Sequence, residues 1–530
     1  MVGGAELTEP PLSLGTAHLL PLTSHRSPLT SLTPLDLVVI ALYFAATLGI
    51  GLWTTRRQAT AGDYFLGARN LPAWAVLLSI VATETSALTV ISVPGIGARG
   101  SLVFLQLAFG YLLGRMVVAA WLLPGYFRGE QETAYARLES RFGVGTRRLV
   151  SVVFLVTRFL GDGVRIFAGA IPLALVTGWS VPLSILVMGG VTLVYTWFGG
   201  LKAVVWADVV QLAVYVTGGV AALLIAWHLA GGAGSALGAA AAAGKLRLID
   251  LSVDLSSTYT LLGGIVGGAM LSAASHGTDQ LIVQRLLATR SLRDARIALI
   301  GSGVLVIAQF LLFLLVGSAI WAARLAPDSL PADQIFPRFI VEQLPAGLAG
   351  LVVAGILAAA MSTISSSINA LASSMTHDLY AGWTGRRDPA HLLVVGRIFS
   401  AVWGIGLVGG ALFFERYATG NDTPVVVLAL SVASITYGAL LGTYLLASRW
   451  PRARGRDVVG AVLVTVLAML VVVFARTLAA SSGLQWLQPV ARLAWPWYVP
   501  LGTLVAVGTG VLLSYLPDRA TPPSSRMSKR

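Results

Sequence analysis

From Ala359 to Ser374 the chain reads Ala-Ala-Met-Ser-Thr-Ile-Ser-Ser-Ser-Ile-Asn-Ala-Leu-Ala-Ser-Ser, a hydroxyl-rich stretch inside an apolar run. The run begins near Leu348 and ends at His377-Asp378, which is long enough to span a bilayer. Helical spacing puts Ser362, Ser365, Ser366, Asn369 and Ser373 on one face. A polar stripe at membrane depth must meet protein, water or an ion. Neutral hydroxyl and carbonyl oxygens suit a hard monovalent cation such as Na⁺, because they replace its hydration shell without trapping it. Small hydroxylated residues also let helices pack closely and bond to neighbours, so the stretch alone leaves both readings open.

A second polar run, Trp74 to Gly95, carries Glu84 among Ser79, Thr83, Thr85, Ser86 and Thr89 before meeting Pro94-Gly95. It predicts a helix broken at its middle, with free carbonyls for a cation and a half-helix amino terminus for an anionic group. Much further on, Leu262-Gly-Gly-Ile-Val-Gly-Gly leads to Ser272, Ser275, His276 and Gly277 and predicts a second, glycine-interrupted helix. Two such helices in matching places imply inverted repeats of five spans each; the alternative is that the glycines serve close packing. Arg165 stands inside an apolar run, where an arginine costs roughly 2.5–3.5 kcal/mol. It either pairs with Asp162 at i, i+3 or recognises a solute carboxylate. Arg158, nearer the end of that run, reads as a side chain that reaches out to the interface. His276 either titrates near neutrality and couples protons or bonds a neighbouring helix end.

The elements that must position these groups are membrane spans. Of 530 residues, 56% are hydrophobic and 11% charged, and mean hydropathy is +0.80, which identifies a polytopic all-α membrane protein. The net charge of +13 comes from arginines in short loops rather than on one basic face, so it marks topology and not nucleic-acid binding. The absence of cysteine excludes disulfides, thiolate metal sites and a cysteine nucleophile. No removable signal peptide is evident in residues 1–34, and the tail after Leu516 has the composition of a disordered end.

Apolar runs give about thirteen spans by the twenty-residue criterion, near 35–54, 72–98, 101–126, 147–176, 180–198, 203–230, 258–285, 297–324, 346–379, 391–415, 424–447, 457–477 and 495–515. Basic residues cluster after alternate spans: Arg56, Arg57 and Arg69; Arg128, Arg137, Arg141, Arg147 and Arg148; Arg285, Arg290, Arg293 and Arg296; Arg386 and Arg387; Arg449, Arg452, Arg454 and Arg456; Arg519, Arg526, Lys529 and Arg530. The positive-inside rule puts these loops in the cytoplasm, the amino terminus outside and the carboxyl terminus inside. Short loops suggest a bacterial inner membrane.

Four stretches in this order resemble the sodium/solute symporter family of sodium/glucose, proline, sialic acid, iodide and monocarboxylate carriers. They are Asp63 to Arg69; Trp197 to Gln211, through Gly200, Lys202 and Asp208; His276 to Arg285; and Ala359 to Asp378. The resemblance runs from about residue 35 to 450. It implies a LeuT-type core of two inverted five-helix repeats, placed at 72–230 and 258–450. Around them lie an extracytoplasmic segment 1–34, a first helix and loop 35–71, an external loop 231–257, two further helices 451–516 and a tail 517–530.

Carried over position by position, the family's common sodium site falls on Ala82, Thr85, Ala359, Ser362 and Thr363. A second sodium site, found in some members, falls on Asp208, Ser362, Ser365 and Ser366. The solute pocket of the family suggests Glu84, Ser86, Thr89, Gln106, Ser272 and Ser275 as contacts. Arg165 lies about one turn from the arginine that meets the carboxylate in sialic acid carriers. The sugar carriers' aromatic gate is replaced by Ser275 and His276, which disfavours a sugar.

The expectation is therefore a sodium-coupled symporter that imports a small carboxylate or amino acid by alternating access and works as a monomer in the lipid bilayer. The alternatives are a proton-coupled transporter of the same fold and a transporter-like sensor, the latter opposed by the short tail. No nucleophile elbow or paired metal-ligand motif points to an enzyme.

Overall fold

The computed structural model describes residues 32–54, 58–129, 131–418, 425–481 and 484–517. The expectations for residues 1–31, for Arg56 and Arg57, and for the tail with Arg519, Arg526, Lys529 and Arg530 lie outside the described residues. Apolar runs become helices here because a helix satisfies its own backbone polar groups where no water can. Among the described residues the regular elements are all helical, with a single isolated bridge between Leu71 and Thr289.

Nine described helices are long and apolar enough to cross a bilayer, and a bent pair makes a tenth. Span 1 is Pro34–Thr54. Span 2 is the pair Ala73–Glu84 and Ala87–Arg99, bent by 70°. Spans 3 and 4 are Leu102–Tyr126 and Val144–Thr177. The 49-residue helix Val181–Leu229 holds spans 5 and 6, because Gly200 breaks it at φ 57°, ψ −153°. A Cβ at Gly200 would come within 2.5 Å of the Tyr64 carbonyl, so glycine is required there for approach as well as for φ.

Span 7 runs through Gly263–Gly267 and Gly268–Gly277, then restarts as Gln280–Leu287. Spans 8 and 9 are Leu292–Ala322 and Leu348–Thr384, span 10 is Pro389–Ala418, and span 11 is Val425–Arg449. Spans 12 and 13 are Gly455–Val473 and Trp495–Ser514. The described helices follow the order of the expected spans, and nine of them, or ten with the bent pair, are long and apolar enough to cross a bilayer.

The two interruptions differ in kind. Span 2 breaks at Thr85-Ser86, eight residues before Pro94, which lies inside the second half-helix. Ser86 restarts the chain as amino-terminal cap. Span 7 is not interrupted at its glycine run, as the sequence suggested, but after Gly277. There Asp279 caps the second half by accepting from the Leu281 amide at 2.9 Å. The glycines instead let span 7 lie against span 3: a Cβ at Gly264 would meet the Gln106 backbone at 2.9 Å, and one at Gly268 the Leu107 carbonyl at 2.7 Å.

Span 9 is the axis of the molecule. Of its most apolar stretch, 89% is buried, against 28% for span 1, so its hydroxyls face protein rather than lipid. Span 6 packs along it, and a Cβ at Gly355 would sit 2.9 Å from Tyr215.

On the face that carries the arginine-rich loops, Asp378 closes the structure. It accepts from Thr133 at 2.5 Å, Arg147 at 2.7 Å and Ser374 at 2.8 Å. Arg147 also holds Glu139 at 2.6 Å, and His377 Nδ1 lies 2.9 Å from Glu132. Glu132, in the loop after span 3, is held below the usual carboxylate range chiefly by His377, then by the nearby Arg147 and Arg69.

Candidate functional site

The first half of span 2 ends at Glu84, and the last four carbonyls of a helix lack intrahelical partners. The Ala82 carbonyl accepts from the Ser362 hydroxyl of span 9 at 2.8 Å. Ser362 also reaches the Ala359 carbonyl at 3.1 Å, and Thr363 Oγ1 reaches the same carbonyl at 3.3 Å. Thr363 lies 3.5 Å from the Thr83 carbonyl. Two main-chain carbonyls and two hydroxyls from Ala82, Ala359, Ser362 and Thr363 therefore converge at a negative helix end, an arrangement that suits a small hard cation. The Thr85 hydroxyl turns away from these oxygens, to the Val81 carbonyl at 2.9 Å and Gln309 Oε1 at 3.1 Å.

Asp208 is fully buried. Its Oδ2 accepts from Ser79 at 2.5 Å, Thr83 at 3.4 Å and Arg285 at 3.2 Å, while Oδ1 has no partner among the described residues. Arg285 also bonds Ser79 at 2.9 Å, the Leu281 carbonyl at 2.7 Å and Ser366. Ser365 and Ser366 both donate to the Ser362 carbonyl, at 3.0 and 2.5 Å. Arg285 is thus not a loop charge, as its place in the chain suggested. It is a fully buried guanidinium standing among the oxygens assigned to a second cation.

Of the expected solute contacts, Glu84 is bound by Arg115 of span 3, a residue the sequence reading passed over. Arg115 is fully buried and reaches Ser302 of span 8 at 2.7 Å. His276 brings Nε2 to 3.7 Å from Glu84 Oε2, and its Nδ1 lies 2.8 Å from the Ser275 hydroxyl. Ser272 lies one turn earlier, buried, with no partner for its hydroxyl among the described residues. Ser86 and Thr89 bond one another at the start of the second half-helix, 3.3 Å apart. Gln106 is tied to the loop before span 7 through the Tyr259 carbonyl at 3.1 Å and the Asp250 amide at 3.0 Å, and stands outside this constellation.

Arg165 lies 3.4 Å from Asp162, the intrahelical pair foreseen, yet keeps 29% of its side chain exposed. Arg158 does not reach the interface. It is 10% exposed and lies between Asp162 at 3.2 Å and Asp279 at 3.6 Å, because a carboxylate on each side stabilises its charge at depth better than a long reach to water. Ser367 of span 9 bonds Asp162, and Tyr437 of span 11 donates to Asp279 at 2.9 Å. Arg158, Asp162, Arg165, Asp279 and Tyr437 line a cleft beside the break of span 7.

The missed residues had a signal. Arg115 lies as deep in an apolar run as Arg165, and Arg285 is followed by Leu286-Leu287 rather than by loop residues.

Two interrupted helices meeting a hydroxyl-rich central helix, with charge pairs buried among the spans, define a polytopic secondary transporter. The family model for the sodium:solute symporter family matches residues 64–464. The human sodium/iodide cotransporter is 32% identical over 430 residues, which cover 78% of this chain and 65% of that one. The sodium/sialic acid symporter NanT of Aliivibrio fischeri is 26% identical over 488 residues, covering 90% and 92%. Among solved structures, a substrate-bound, outward-open Na⁺-coupled sialic acid symporter superposes with a TM-score of 0.78 at 26% identity, over 91% of this chain and 97% of that one.

The chain belongs to the sodium:solute symporter family. Its fold is the LeuT-type arrangement of that structural neighbour, and it is a sodium-coupled membrane transporter of small solutes.

Proposed function

We propose that this protein imports a small organic solute, a carboxylate or amino acid, together with sodium bound by Ala82, Thr85, Ala359, Ser362 and Thr363. The observation that carries this is the convergence of the Ala82 and Ala359 carbonyls with the Ser362 and Thr363 hydroxyls at the break of span 2. Sodium there ties the first repeat, residues 72–230, to the second, residues 258–450. Ion binding favours the outward-open state and completes the solute site, and exposure to low cytoplasmic sodium releases both.

A second sodium has the free Oδ1 of Asp208 to bind, beside Ser365 and Ser366; Arg285 then gives up its bond to Ser366. The solute lies between the two breaks, where Glu84, Ser272 and Ser275 on one side and Arg165 on the other supply polar contacts. Arg165 is the group for a carboxylate. The name of the bacterial relative, which carries an organic acid, supports that class. The arginine-rich face is cytoplasmic, the membrane is the inner membrane of a bacterial cell, and one chain suffices for transport without covalent chemistry.

The test is uptake into proteoliposomes of purified protein under an inward sodium gradient, with potassium as the control and labelled carboxylates and amino acids as candidates. Sodium-driven accumulation that disappears in S362A/T363A supports the proposal. Accumulation driven equally by a proton gradient in potassium overturns the sodium site and favours proton coupling.

A further inference from the structure

The cleft beside the break of span 7 is walled by spans 4, 7 and 11, and its four charges cancel: Arg158 and Arg165 against Asp162 and Asp279. It holds about 20 Å³, room for little more than one water molecule. A neutral, nearly closed cleft offers a solute neither charge nor space. What it does provide is a connection between separate spans. Asp279 divides its contacts between its two oxygens. Oδ1 caps the second half of span 7 by accepting from the Leu281 amide at 2.9 Å, while Oδ2 accepts from Tyr437 of span 11 at 2.9 Å and lies 3.6 Å from Arg158 Nη2 of span 4. The helix restart therefore does not need Arg158; the position of that half-helix against span 4 does.

Arg158 also has a second carboxylate. Its Nε lies 3.2 Å from Asp162 Oδ2, one turn along the same helix, and Asp162 is itself fixed by Ser367 of span 9 and by Arg165 at 3.4 Å. Taking one partner from a buried pair is costly because a bare charge stays behind. Arg285 faces Asp208 in that way, with no second carboxylate beside it among the described residues. Arg158, by contrast, loses Asp279 and still keeps Asp162, and at 3.6 Å its contact with Asp279 is beyond hydrogen-bonding reach. Such a contact is built to open. Phe154, Thr157 and Leu440 extend the cleft towards the ends of spans 4 and 11 that carry the arginine-rich loops. We infer that Arg158 is a gating residue: it latches the second half of span 7 to span 4, Asp162 retains it when Asp279 leaves, and that release opens the cleft to the arginine-rich face.

The chain has no cysteine, so one introduced at Leu440 reports on the cleft alone. The test follows the modification of L440C by a charged, membrane-impermeant thiol reagent, in full-length protein in lipid nanodiscs with both membrane faces in reach. In the parent L440C protein the reaction is slow. R158Q speeds it at least about tenfold, and so does D279N, which keeps a capping side chain. D162N leaves Arg158 with Asp279 alone to face, so the latch holds and the reaction stays slow. A merely structural role would loosen the cleft in all three variants. A rate in R158Q equal to that of the parent, or a D162N rate that rises as far as the R158Q rate, overturns the inference. Where R158Q does not fold, D279N and D162N decide by the same comparison. The same ranking is expected in KCl and in NaCl, so the outcome does not depend on which ion or solute is carried.

Discussion

At the residue scale, the carbonyls and hydroxyls that meet between spans 2 and 9, proposed here to hold sodium, were legible because their chemistry is visible in the sequence. Serines and threonines at helical spacing in an apolar run announce a polar stripe, and residues beside a break announce free carbonyls. The arginines were harder. Arg285 sits just ahead of Arg290, Arg293 and Arg296, and a one-dimensional reading cannot tell a loop charge from one drawn inward by Asp208. Its burial gives a prediction. R285Q leaves Asp208 uncompensated and lowers stability by about 3–5 kcal/mol, the usual cost of breaking a buried pair. The double variant R285Q/D208N recovers most of that loss, because neither charge remains. Denaturation in detergent of the two single variants and the double checks it; additive losses would mean that the pair is not coupled.

At the element scale, the first interruption was readable and the second was misplaced. Thr83 to Ser86 is polar enough to end a helix, whereas Gly263 to Gly268 only looks like a break. Glycine interrupts a helix when the backbone needs freedom, and here it removes side-chain volume between spans 3 and 7. A Cβ at Gly110 would lie 2.1 Å from the Gly264 carbonyl, so G110A forces the spans apart and costs about 1–3 kcal/mol. Thermal denaturation reads that loss, and an unchanged midpoint would contradict the packing.

The closure on the basic face adds a pH dependence. Glu132 sits below its ordinary value of 4.5 mainly through its bond to His377, so its charged form is the one the folded closure favours. That contribution is complete above the unfolded carboxylate value and is lost as pH falls through the lowered one. As pH falls from about 5 to about 3, the wild type accordingly loses more thermal stability than E132Q. Equal losses would remove Glu132 from the closure.

At the scale of the whole molecule, hydropathy and alternating basic loops announced thirteen spans, and the described helices follow that order. How the two repeats meet was not legible, because it depends on which faces of spans 2, 6 and 9 touch. That is fixed by close approaches such as Gly355 on Tyr215. In the proposed mechanism the meeting point decides function, since an ion held jointly by span 2 and span 9 would link movements of both. The membrane potential adds about 2.3 kcal/mol per charge at 100 mV, so one sodium carried inward supplies a large driving force for accumulation.

The most direct test of that joint site is the thermal stability of solute-free protein in NaCl against KCl and choline chloride, for the wild type and S362A/T363A. A ligand that binds only the folded state at 100 times its Kd stabilises it by about 2.7 kcal/mol. The account predicts a sodium-specific rise in the wild type that saturates with concentration and is absent from a folded double variant. Equal midpoints in all three salts, or a sodium shift that survives in S362A/T363A, would contradict it.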